Sequence, residues 1–305
     1  MLRGNDLISV RDLEKADIEQ LLKRAEDMDR TLGAGRTLDI LKEKIVATLF
    51  FEPSTRTKMS FQTAAKRLGA QILNFTSMES SSMKKGETLA DTLRMVDGYA
   101  DLLIMRHAAE GAARYAAEVC KHPLINAGDG GNQHPTQTLL DLFTIRKMKG
   151  KIQGLSVYLV GDLKYARTMR SLLYGLGMFG AEITLVAPAG LEMDPKMVEE
   201  VKEKFGTSVT QKTALNLSGA DVAYVCRVQK ERFADPYEAE KVQKSFRITM
   251  DALKGVKDDL AILHPLPKID EMDPQIDATK YARYFEQAKL GVPMRMAIIA
   301  EIMGE

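Results

Sequence analysis

The chain has 305 residues, with 43 Lys and Arg against 42 Asp and Glu, a formal net charge of +1. Hydrophobic residues make up 45% and charged residues 28%, an ordinary globular balance, and a chain of this size buries roughly three quarters of its unfolded surface in about two domains. So even a charge argues against a nucleic-acid binder held by phosphate neutralisation. The longest apolar runs, such as Val46–Phe51, are too short to cross a bilayer. The opening MLRGNDLISV lacks the apolar core of a secretory signal, so a cytoplasmic location is expected. Cys120 and Cys226 have no CxxC spacing, and His107, His122, His134 and His264 form no HExxH. Neither a disulfide framework nor a structural zinc site is therefore expected, and the chain reads as metal-free.

In chain order, Ile18, Leu21, Leu22, Ala25 and Met28 place one buried stripe on a helix over 15–28. Strands and helices then alternate. Strands are expected at 44–50, 71–75, 101–105 and 123–127, with helices at 54–68 and 88–99 between them. A helix over 135–148 follows, with Pro135 at its first position and Gly150 just past its end. The alternation then restarts: strand 156–160, helix 166–178, strand 182–186, helix 195–205, and strands 221–226 and 260–263. A final helix over 292–302 carries Met296, Ile299, Ala300 and Met303 on one side. Short apolar strands separated by amphipathic helices imply parallel sheets covered on both faces. The expectation is an α/β chain of two doubly wound parallel-sheet domains: 1–134, joined by the final helix at about 289–305, and 150–288, with 135–149 as the linking helix.

In open sheets of this kind ligands collect at the carboxyl ends of the strands. Strand 44–50 runs into Phe51-Glu52-Pro53-Ser54-Thr55-Arg56-Thr57 and then a helix. Ser54, Thr55 and Thr57 supply hydroxyls and Arg56 a guanidinium where a helix N-terminus offers unpaired N–H groups and partial positive charge. That combination suits a phosphate. Ser54 by itself would more ordinarily be a helix cap; four phosphate-suited residues in a row favour the anion site. Arg227 directly follows the apolar run 222–226 and Arg167 opens the helix after strand 156–160, so both stand at strand tips. Either arginine alone would more ordinarily be a surface ion pair.

The FxEPSTRT run resembles the carbamoyl-phosphate signature of the transcarbamylases. Further segments narrow the resemblance to the aspartate carbamoyltransferases: SSMKKGETLADT, MRH at 105–107, GDGGNQHPTQTLLDLFTI at 128–145, GDLKYARTMRS at 161–171, RVQKERF at 227–233 and HPLPKIDE at 264–271. The resemblance runs along nearly the whole chain. It implies two α/β domains with the active site in the cleft between them. It also implies transfer of the carbamoyl group of carbamoyl phosphate to the amine of L-aspartate, in de novo pyrimidine biosynthesis, with no cofactor. Negative charge grows on the carbonyl oxygen while phosphate leaves, so the site needs cations and hydrogen-bond donors.

By the resemblance, Ser54, Thr55, Arg56 and Thr57 hold the phosphate, and Thr57, Arg106 and His134 donate to the carbonyl oxygen. Gln137 and the backbone at Leu266 and Pro267 complete the carbamoyl-phosphate site. Arg167, Arg227, Gln229 and Lys85 hold aspartate. The polar loop 76–87 by itself reads as a solvated surface loop. The resemblance instead sends Ser81 and Lys85 into a neighbouring subunit's site, which implies a homotrimer with shared active sites. Domain closure on aspartate is expected, because a ligand bridging both domains favours the closed state. The segment 107–117 resembles chains that associate with a separate zinc-bearing regulatory subunit; a free-standing homotrimer is the equal alternative. Lys268 stands where the family usually has Arg, keeping the charge and losing the fork.

The ornithine carbamoyltransferases share the phosphate signature, but their HCLP and SMG segments have no counterpart here, and two arginines suit anions rather than ornithine's ammonium. A dinucleotide-binding reading fails on GDLKYA, which lacks the second and third glycines of that fingerprint. A catalytically dead relative would have lost Arg56, Arg106 or His134; all three are present.

Overall fold

The computed structural model describes residues 5–75, 86–228 and 246–305. They form two compact units, Met1–Phe143 with Leu290–Glu305, and Thr144–Lys289.

In the first unit a short 3-10 turn, Val10–Asp12, leads into α1 (Lys15–Gly33), whose Ile18, Leu21, Leu22, Ala25 and Met28 are buried. The order is then β1 (Ile45–Phe50), α2 (Thr55–Arg67), β2 (Gln71–Phe75), α3 (Leu89–Asp97), β3 (Leu102–His107), α4 (Ala112–Val119), β4 (Leu124–Asp129) and α5 (Pro135–Lys149). The Thr88 hydroxyl caps α3 by accepting from Asp91 N at 3.1 Å. The four strands are parallel in the order β2-β1-β3-β4. Alternate residues of β1 and β3, Ala47, Leu49, Leu103 and Met105, pack with α3 and α4 into one core layer. On the other face of β1, Val46, Thr48 and Phe50 are buried as well, the two-faced burial a parallel sheet requires.

The second unit contains β5 (Ser156–Val160), α6 (Arg167–Met178), β6 (Glu182–Val186), α7 (Pro195–Phe205), β7 (Val209–Lys212), β8 (Val222–Val225), β9 (Ala261–Leu263) and the start of α8 (Tyr284–Met303). Its five strands are also parallel, in the order β7-β6-β5-β8-β9. Tyr158, Val160, Ala223, Val225 and Ile262 form one face of its core. Among the described residues no helix is long and apolar enough to cross a membrane.

Three elements differ from the sequence expectation. α4 buries only alanines, Ala112, Ala113 and Ala116, so it lacks the large apolar stripe that marks a helix. β7 buries Val209 alone and exposes the rest, as an edge strand can. The last helix begins eight residues earlier than the expected Val292 and carries Pro293 in its interior. Proline normally opens a helix; here burial of every residue from Pro293 to Ile302, with Met294, Met296, Ala297, Ile298, Ile299 and Ala300 inaccessible, outweighs the lost backbone bond.

Candidate active site

Both sheets reverse their winding once. In the first, the chain steps from β1 outward to β2 and then returns to the other side of β1 as β3. In the second, it runs β5, β6, β7 and returns beside β5 as β8. A crevice opens at the carboxyl ends of the two strands flanking such a reversal, because their connections leave to opposite faces. The residues following β1 and ending β3 are Ser54–Thr57 and Arg106. Those following β5 and β8 are Arg167 and Arg227. Each pair of clusters thus stands at the switch point of its own sheet.

In the first unit, Ser54 occupies the N-cap position of α2 with extended backbone, yet its side chain makes no capping hydrogen bond and no acid stands in the first turn. The positive end of the helix has neither a capping side chain nor a first-turn carboxylate, which suits an incoming anion. Thr57 is buried, while Thr55 and Arg56 are exposed. Partial burial lowers the Arg56 guanidinium from its ordinary value, and it remains a cation at neutral pH.

Arg106 lies at an irregularity of the sheet. The β3–β4 register moves from Met105↔Asn126 to His107↔Asp129, so two residues of β3 span three of β4. A bulge of this kind re-aims the side chain within it. Arg106 is buried; it donates to Glu52 Oε1 at 3.0 Å and to Ala127 O at 3.3 Å. Its carbonyl accepts from Phe51 N at 2.9 Å, fixing the β1 exit against the β3 tip. Beside it, His107 Nδ1 accepts from Ala109 N at 2.9 Å. Burial pushes the His107 ring down from its ordinary value against the opposing pull of Glu52 and Asp129.

His134 is placed by a loop built around Asp129, a buried residue that the motifs do not single out. Asp129 accepts from Asn126 Nδ2 (3.0 Å), Gly111 N (2.9 Å), Asn132 Nδ2 (3.0 Å) and Gln133 N (3.1 Å). His134 is buried at the head of α5, where its carbonyl accepts from Gln137 N and Thr138 N. Gln137 is also buried and donates through Nε2 to Asp141 Oδ1 at 2.9 Å.

In the second unit, Gly161 at the tip of β5 has φ +118°, and a Cβ there would stand well inside contact distance of the Cys226 carbonyl oxygen. Only glycine allows this approach, which brings the exits of β5 and β8 together. Asp162, fully buried, accepts from Tyr165 N at 2.9 Å, and its carbonyl receives the Cys226 thiol at 3.3 Å. Arg167, the first residue of α6, and Arg227 are half-buried. Burial pushes the Cys226 thiol well up and that of Cys120 to about 12, so neither is poised as a thiolate nucleophile.

The segment after β9 is held by His264, another residue outside the site expected from the sequence. Its Nδ1 accepts from Leu266 N at 2.8 Å, and its Nε2 lies 2.8 Å from Glu271 Oε1 with the N–H poorly aligned. Glu271 also accepts from Ile269 N at 3.2 Å. These contacts keep Leu266 at φ +55°, ahead of a cis peptide to Pro267. Lys268 pairs with Asp277 and stands 4.5 Å over the Tyr284 ring. The charge expected at 268 is therefore engaged within its own unit. The Tyr284 phenol is raised by burial and by Asp277.

The geometry thus brings Ser54, Thr55, Arg56, Thr57, Arg106, His134 and Gln137 to one unit, and Arg167, Arg227, Leu266 and Pro267 to the other. Ser81, Lys85 and Gln229 lie outside the described residues. The only sequence signal for Asp129 and His264 is their place inside the segments 128–145 and 264–271.

Residues 5–147 match the carbamoyl-phosphate-binding domain of the aspartate/ornithine carbamoyltransferases, and residues 153–302 match their aspartate/ornithine-binding domain. The aspartate carbamoyltransferase catalytic subunit of Archaeoglobus fulgidus is 50% identical over 97% of this chain and 98% of its own. The M. jannaschii aspartate transcarbamoylase catalytic subunit superposes with a TM-score of 0.92 at 45% identity, covering 98% of each chain. The Trypanosoma cruzi aspartate transcarbamoylase, solved in complex with carbamoyl phosphate and aspartate, gives 0.93 at 38% identity over 99% of this chain and 96% of that one. With strand-tip arginines, fold and sequence agreeing over nearly all of its length, the chain belongs to the aspartate/ornithine carbamoyltransferase family, alongside the aspartate carbamoyltransferase catalytic subunits.

Proposed function

We propose that this protein transfers the carbamoyl group of carbamoyl phosphate to the amine of L-aspartate, releasing N-carbamoyl-L-aspartate and phosphate for de novo pyrimidine biosynthesis. The observation that carries it is the uncapped start of α2 behind Ser54, with Arg56 exposed and Arg106 at the adjoining strand tip. It supplies N–H groups and two guanidinium groups for a phosphate and for the oxygen next to it.

In this mechanism Ser54, Thr55, Arg56 and Thr57 hold the phosphate, and Thr57, Arg106 and His134 donate to the carbonyl oxygen. The amine attacks the carbonyl carbon, and negative charge moves onto that oxygen. Donors already fixed by the protein stabilise this charge without reorganising. The C–O bond to phosphate then breaks. The departing phosphate, itself basic, takes the amine proton, so His134 polarises the carbonyl rather than acting as a committed base. Gln137 and the backbone at Leu266 and Pro267 hold the carbamoyl amide; Arg167, Arg227 and Gln229 hold the aspartate carboxylates.

The same proposal includes a homotrimer in which Ser81 and Lys85 complete a neighbouring subunit's site, domain closure on aspartate, and a cytoplasmic location. It leaves equal room for a separate zinc-bearing regulatory subunit and for a free-standing trimer. The test is phosphate release by the purified protein given carbamoyl phosphate and aspartate, with ornithine as control. Turnover with ornithine and none with aspartate overturns the assignment.

A further inference from the structure

Within the first unit, three polar side chains from α5 and α8 are buried away from solvent: Gln137, Asp141 and Arg295, at 8%, 0% and 3% exposure. Gln137 Nε2 donates to Asp141 Oδ1 at 2.9 Å. Arg295 has its guanidinium carbon 5.0 Å from the Phe61 ring centroid and its Nη1 donating to Gly291 O at 3.2 Å. A Cβ on Gly291 would overlap that same Nη1, so the glycine makes the room in which the cation sits. Burial lowers the Arg295 guanidinium to about 10, and the charge of Asp141 works against that fall.

This arrangement has a chemical consequence at Gln137. An amide can present either its NH2 group or its oxygen, and a half-turn of χ3 exchanges them at little cost. A carboxylate only accepts. With Asp141 taking the NH2 group, the amide oxygen is the end left for a ligand. An oxygen there recognises an N–H donor and rejects a methyl group of similar size.

We propose that Asp141 is a positioning residue that sets the Gln137 amide so that its oxygen meets the NH2 group of the carbamoyl donor, selecting carbamoyl phosphate over acetyl phosphate. The inference rests on the function proposed above and adds a residue that enforces its donor specificity. Selection of this type is effective because a site built to accept a hydrogen bond is left with an unpaired buried acceptor when the donor is missing.

The test compares kcat/KM for carbamoyl phosphate with competitive inhibition by acetyl phosphate and by inorganic phosphate, in the native protein and in Asp141→Asn. Asparagine both donates and accepts, so it no longer dictates which way Gln137 faces. The preference for carbamoyl over acetyl phosphate should fall about tenfold, with inhibition by inorganic phosphate kept within about twofold. An unchanged preference in the folded variant overturns the proposal, and so does an equal loss of inorganic phosphate binding, which marks a merely structural role. Because Asp141→Asn strands the buried Arg295 charge, the double variant Asp141→Asn/Arg295→Met removes both charges together. It should show the same loss of preference, and retention of native preference overturns the proposal. Native protein that fails to carbamoylate aspartate overturns the underlying function instead, and the two failures are read from different proteins.

Discussion

Arg106 Nη2 and Glu52 Oε1 meet at 3.0 Å across the tips of β3 and β1, with Arg106 the more buried of the two. Glu52 is thus the counter-charge of a guanidinium that, in the proposed reaction, faces the carbonyl oxygen. Glu52→Gln should destabilise the ligand-free protein by about 1 kcal/mol, since the pair is only partly buried. Inorganic phosphate should restore more melting temperature to the variant than to the native protein, because it supplies negative charge close by. Thermal unfolding with and without phosphate checks this; equal shifts in both proteins count against it.

Arg56 is exposed and packs little, so Arg56→Ala should leave unfolding within about 0.5 kcal/mol of native. Turnover should drop by roughly 10²–10³-fold, the scale of losing a fixed donor to a developing anion. Steady-state kinetics beside a denaturant titration separates the two effects. Near-native turnover would remove Arg56 from the phosphate site.

A pH dependence follows from Glu271. Burial pushes its carboxyl up, but the His264 contact and the backbone N–H of Ile269 outweigh this and hold it below its ordinary value of 4.5. A folded-state value below the unfolded one stabilises the fold above about pH 4.5, and that contribution is lost as pH falls through the lower folded value. Native protein should therefore be more stable than Glu271→Gln at about pH 6–7. The difference should shrink on acidification below about pH 4.5. A difference that grows with acidity has the wrong sign.

Gly161→Ala places a side chain against the Cys226 carbonyl at a positive φ. The expected cost is about 2 kcal/mol or more. Since the β5 and β8 exits carry Arg167 and Arg227, the KM for aspartate should rise more than the KM for carbamoyl phosphate. Equal rises would mean the two tips do not serve the dicarboxylate.

For shared sites, inactive Arg56→Ala and inactive Lys85→Ala proteins, dissociated and reassembled together, should regain activity, because some interfaces then pair two intact halves. Hybrids that stay dead after demonstrated subunit exchange argue that Lys85 serves its own chain.

Much of the fold is legible locally. Strands 71–75, 156–160 and 182–186 and helix 195–205 have the same limits in the structure as their sequence patterns predict, because each is a compact apolar run or stripe bounded by turn residues. Arg56, Arg167 and Arg227 are likewise visible as cations placed directly after apolar strands. What the sequence alone determined is thus the alternation of elements and the motifs at their ends. Tertiary structure decided the rest. α4 exists because alanines allow close packing on the sheet, and Pro293 is accommodated because every residue of α8 from Pro293 to Ile302 is buried. The approach of Gly161 to Cys226, the pairing of Arg106 with Glu52 and that of Asp129 with Gly111 join residues whose partners are set by strand order and burial. Local propensity carries no information about a hydrogen bond or charge contact between distant elements, and those contacts orient the side chains that the motifs supply.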